Sequence, residues 1–156
     1  MAVLQTNYGS DYAVGFAGMI ANGETSNRIS RTVEDAAGIG FGKAVFRGSG
    51  DHGVTATPSA NLMGITIANY AAPPVEATGV QADSYPQYST AGVLTQGVIW
   101  VLAGSNTTDG AAVYVGDGDP DTAGIFTASS TGNVALTGWT FQDTVSSGAM
   151  VRIAKR

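Results

Sequence analysis

The chain contains no cysteine. That excludes disulfides, thiol nucleophiles and cysteine-based zinc sites together, and the fold does not need an oxidising compartment. Charge is scarce: 12% of the residues are charged, about half the ~25% of an average globular chain. No lysine or arginine lies between Arg47 and Arg152, a span that holds Asp51, Glu76, Asp83, Asp109, Asp117, Asp119, Asp121 and Asp143. With a net charge of −5, a nucleic-acid partner is not expected. No apolar run approaches the ~18 residues of a membrane span. The start, MAVLQTNYGSDYAV, lacks the basic and apolar regions of a signal peptide, so a soluble chain that keeps its N-terminus is expected.

Parts for catalysis are missing as well. There is no GxSxG, no Walker-type phosphate loop and no dinucleotide-binding glycine fingerprint ahead of a helix. The single histidine, His52, sits beside Asp51 in the loop-like run GSGDHGVTATPSA. Adjacency in sequence does not make a dyad, because the fold places the orienting acid. A solvated loop histidine and a chain without enzymatic activity are expected. A pair of carboxylates meeting in space, as in a glycosidase, is not excluded by sequence, but these acids sit mostly in turn-like contexts. Asp117, Asp119 and Asp121 alternate as oxygen ligands for calcium do, yet an EF-hand loop starting at Asp117 would need Gly and Glu where Thr122 and Ala128 stand. An acidic turn is the plainer reading, and no cofactor or metal is expected.

What is abundant is glycine, with 22 residues, together with threonine, valine and alanine. Many turns and β-branched residues without a helical pattern point to an all-β chain. Residues 27–34 alternate, with Ile29, Arg31 and Val33 on one face and Arg28, Ser30, Thr32 and Glu34 on the other. Residues 41–47 alternate too, with Phe41, Lys43, Val45 and Arg47 opposite Ala44 and Phe46. Further strands are expected at 62–70, 111–115, 125–128, 135–142 and 149–154. Residues 89–102 read as two strands, or as one long strand with a bulge at Gly97. The connection 71–88 carries Pro73, Pro74 and Pro86, so it is not a central strand. About eight short strands favour a single small β-sandwich or barrel.

Residues 1–22 show no alternation and one charge, Asp11. They read as an extended N-terminal arm preceding a β-rich body of residues 23–156. Tyr8, Tyr12 and Phe16 on the arm are candidates for docking into a partner's grooves. Residues 15–48 hold four of the seven basic residues, Arg28, Arg31, Lys43 and Arg47. That crowding marks residues 15–48 as the organiser of the chain and its basic side chains as a candidate partner interface.

The lead-in GFAGMIANG, the stretch NRISRTVEDAAGIGFGKAVFRG and the later LMGITIANY resemble the small head-decoration, or structural cement, proteins of tailed bacteriophages. The resemblance covers roughly residues 12–102 and is one of order and texture. It implies a virion protein made in the host cytoplasm, bound to the capsid exterior, that braces the major capsid protein. It also implies a homo-oligomer, with a trimer favoured. The alternative is a carbohydrate-binding or tail-associated β-module using Trp139, Tyr85 or Tyr88 as a stacking platform.

Overall fold

Residues 90–102 (TAGVLTQGVIWVL) are apolar enough to be buried on both faces and contain no proline. In the computed structural model, which describes residues 14–69, 71, 83–116 and 124–156, they form one strand of thirteen residues. Among the described residues there are eleven strands and no helix: β1 (Asn27–Val33), β2 (Ile39–Gly40), β3 (Ala44–Arg47), β4 (Gly53–Thr55), β5 (Leu62–Thr66), β6 (Ser84–Tyr85), β7 (Thr90–Leu102), β8 (Ala112–Gly116), β9 (Phe126–Thr127), β10 (Asn133–Phe141) and β11 (Met150–Lys155). The chain is all-β, as its composition requires. No helix is long and apolar enough to cross a membrane among those residues.

The strands close a small barrel-like ring, β1-β4-β3-β5-β7 and back to β1, and β7 continues into a second run, β7-β11-β10-β8-β9. The first half of β7 pairs antiparallel with β1, from Thr32↔Thr90 to Asn27↔Gln96. Its second half pairs antiparallel with β11, from Lys155↔Gly97 to Met150↔Leu102. The change of partner falls at Gly97, whose φ of 129° favours glycine. A side chain there would press on Cβ of Ser26, 2.9 Å away. The expected irregularity at Gly97 therefore exists, inside one strand. β7, rather than residues 15–48, is the element that both halves share.

Two apolar clusters follow from this layout. One joins the ring to the second run, with Phe46, Ile65 and Leu94 packed alongside Ile99, Val113, Leu136, Trp139, Phe141 and Ile153. The other gathers Val33, Val45, Val54, Ala91 and Val93 with Ile39 and Tyr85 of the two-stranded sheet β2-β6.

Three local expectations are corrected. The strand expected from Phe41 begins only at Ala44, because Phe41 and Gly42 form a turn in which Gly42 has a φ of 65°. The loop expected over residues 48–60 contains β4, which is the strand that closes the ring. The connection 71–88 contains β6, whose Tyr85 is 3% exposed. Pro73 and Pro74 lie outside the described residues.

Candidate interaction surface

The two carboxylates that follow β1 hold β4 in place. Glu34 accepts hydrogen bonds from the Ser49 amide (2.8 Å), the Ser49 hydroxyl (2.9 Å) and the Gly50 amide (2.8 Å), all in the turn before β4. Asp35 accepts from the Thr55 hydroxyl at 2.6 Å and the Ala56 amide at 2.7 Å, at its far end. Gly48 and Gly53 leave room for the Glu34 carboxylate, which a side chain at either position would overlap. Hydrogen bonds from the Ser49 and Gly50 amides keep the Glu34 carboxyl below the usual carboxylate range. A group whose folded pKa is depressed stabilises above its unfolded pKa, and that contribution is lost as pH falls through the folded value. Acidification below about pH 4.5, the ordinary value, is therefore expected to release the 48–53 turn. Amide exchange at Ser49 and Gly50 is expected to accelerate there, and to be insensitive to pH in Glu34→Gln beyond the intrinsic dependence. Amides equally protected across that range would refute this role.

The basic residues of the ring are spread along β1 and over residues 43–47. Arg28 and Arg31 project from β1 and Arg47 from the end of β3, and β4 lies between those two strands at the closed end. Arg28 Nε donates to the Ser26 hydroxyl at 3.3 Å, and Arg31 Nη1 donates to the Ser30 carbonyl at 2.9 Å. Among the described residues none of the three has a carboxylate partner, whereas Arg152 pairs with Asp143 and Arg156 with Glu24. Lys43 differs from the other three. It is half-buried, its stem packs beside Gly40 and Gly124, and burial lowers its ammonium pKa.

Phe16 belongs to a segment that runs along β7. The Gly18 amide donates to the Trp100 carbonyl, the Trp100 amide to the Met19 carbonyl, and the Ala21 amide to the Val98 carbonyl, each at 2.9 Å. Gly15 lies against the Trp100 indole, where any side chain would overlap the ring. The Arg152 guanidinium stacks on the same indole, 5.6 Å from its centroid. Asp143 orients Arg152 through a two-pronged ion pair, which holds the Asp143 carboxyl below its ordinary range. Around this anchor Val14, Phe16, Met19 and Leu102 are exposed. Trp100, Arg152 and Leu102 had no motif to announce them; the glycine at position 15 was the available signal. Tyr8 and Tyr12 lie outside the described residues, as do Asp117, Asp119 and Asp121.

The aromatic platform expected for a sugar-binding module is not assembled. Trp139 is 2% exposed inside the larger cluster, its Nε1 without a partner among the described residues. Tyr85 is buried edge-to-face against Phe41 and donates its hydroxyl to the Ile67 carbonyl at 2.6 Å. Tyr88 alone is open to solvent, 77% exposed in a left-handed conformation with φ 63°. Its amide is fixed by the Val33 carbonyl at 2.8 Å. His52 is exposed, and its carbonyl accepts from the Thr32 amide at 2.9 Å.

The surface therefore offers two exposed arginines, Arg28 and Arg47, and a half-buried Arg31 on a ring, an anchored apolar segment and a fixed tyrosine, which are means of binding. Residues 4–155 match the family model described as structural cement protein (E217 gp24/Pam3 gp6). No curated protein matches the sequence. Among the solved structures that it resembles is "The capsid of Myoviridae Phage XM1", at 16% identity and a TM-score of 0.70. That likeness covers 98% of this chain and 97% of the other. At this identity it shows a shared fold.

Proposed function

We infer how this chain works from one premise: it belongs to the structural cement protein family. Its role is that of a cement, or decoration, protein of a phage capsid. We propose that it binds the exterior of the head as a trimer, against the major capsid protein, and acts by binding alone without catalytic turnover. The contacts are assigned to Tyr8, Tyr12 and Phe16 at the N-terminal end and to Arg28, Arg31, Lys43 and Arg47 on the ring.

The observation that carries this assignment is the difference between the two sets of arginines. Arg152 and Arg156 are matched to acids within the chain, and Arg28, Arg31 and Arg47 are not matched to any described acid. Exposed ion pairs contribute only ~0–1 kcal/mol each, so these arginines set orientation and encounter rate more than strength. Reversal in the double variant Arg28→Glu/Arg31→Glu is expected to slow association with capsids lacking the protein by about tenfold at low ionic strength. The difference should shrink as added salt shortens the screening length to ~3 Å near 1 M. An association rate equal to wild type across the salt series would remove these arginines from the interface.

A further inference from the structure

β1 is paired along one side over almost its whole length and along the other only at its end. β7 covers it from Asn27 to Thr32. β4 pairs with it only at Thr32 and Val33. Successive residues of an extended strand send their amides to opposite sides. The Thr32 amide reaches the His52 carbonyl and the Glu34 amide the Val54 carbonyl, both on the β4 side, while the Val33 amide reaches the Ser89 carbonyl beside β7. The register with β7 is uninterrupted from Arg28 to Thr32, its shift lying between Asn27 and Arg28. The amides of Ser30 and Arg28 therefore point the same way as that of Thr32, toward a lane that β4 enters too late to fill.

Among the described residues no strand occupies that lane. The Ser30 carbonyl receives Arg31 Nη1. The Ser30 amide, and the amide and carbonyl of Arg28, have no backbone partner among those residues. Arg28 and Ser30 are exposed. Unpaired edges of this kind invite another strand, and here neither proline nor bulge interrupts residues 28–32.

We propose that residues 28–31 of β1 are a strand-addition site, filled in the assembled particle by an extended acidic segment of a shell subunit. The occupant lies in line with β4 and extends the ring's closure along the rest of β1. Backbone ladder bonds supply attachment and are indifferent to sequence. The acidic character follows from Arg28 and Arg31, which flank the lane without a described carboxylate partner. This rests on the capsid role given above and adds where on the chain the shell is grasped.

The test uses full-length protein, free and bound to capsids that lack it, with hydrogen exchange quenched, the protein released and its amides read by NMR. Exchange at Arg28 and Ser30 is expected to be fast in free protein and to slow by about tenfold or more on the capsid. Ser30→Pro removes the amide that points into the lane and leaves the β7 ladder, to which that amide does not contribute. It should weaken capsid binding by about tenfold or more, while Ser30→Ala binds as wild type. Unchanged exchange at both amides in capsid-bound protein would overturn the proposal. So would protection that appears in free protein as its concentration rises, which would make the occupant a second copy. Wild-type protein that fails to bind at all would instead overturn the capsid reading of this chain, an outcome distinct from binding without protection.

Discussion

A chain beginning at Val14 is expected to fold with the stability of the full chain, whereas one beginning at Asn22 is expected to lose about 3 kcal/mol or more. The second truncation removes the three backbone hydrogen bonds to β7 and the one from the Ala68 amide to the Gly18 carbonyl. At roughly 0.5–1.5 kcal/mol each, those bonds alone account for several kcal/mol. It also uncovers the larger apolar cluster where Ile20 packs, and bares the Trp100 face on which Gly15 rests. Urea unfolding of the two truncations measures the difference. Equal midpoints would mean that residues 14–21 merely lie on the surface. The chain from Val14 lacks Tyr8 and Tyr12, and it is expected to bind capsids more weakly than the full chain while folding normally.

Gly64→Ala is expected to cost about 3 kcal/mol or more and to give little folded protein at 37 °C. Gly64 lies in β5 at a φ of 144°, which side chains rarely adopt. An added Cβ there would also overlap the Leu94 carbonyl of β7 and crowd Val93. A carbonyl in a ladder cannot swing aside as the end of a flexible side chain does. β5 and β7 touch at Ile65↔Leu94 and Thr66↔Val93, the join that completes the ring on that side. Gly132→Ala is the control: its φ is also positive, 70°, but no described residue lies within 4 Å of the added Cβ. If both variants unfold at the same denaturant concentration, close packing at β5–β7 is not what Gly64 provides.

The strands with clear alternation were legible from sequence. Residues 27–34 announced β1 through Ile29 and Val33, and residues 149–154 announced β11 through Val151 and Ile153, because burial on one face imposes a period of two. β4 was not legible. Its three residues lie in a glycine- and serine-rich run, and what makes them a strand is Glu34 and Asp35 gripping each end from fifteen to twenty-one residues away. Whether Trp139 and Tyr85 could form the stacking platform of the alternative reading was not legible for a related reason. Aromatic type says that a side chain packs somewhere, and only the fold decides whether it packs inward. Of the candidate interface, the arginines were visible as types. That Arg28 borders a lane which no described strand fills follows only from the start of β4 at Gly53.

β7 also has a mechanical meaning. A strand common to the ring and the second run acts as a tie, with ladder pairs from Asn27↔Gln96 to Thr32↔Thr90 on one half and from Lys155↔Gly97 to Met150↔Leu102 on the other. A pull along its axis loads those hydrogen bonds together in shear, whereas a pull across it would break them one at a time, like a zipper. Tension directed along β7 is therefore the load that its two ladders resist best.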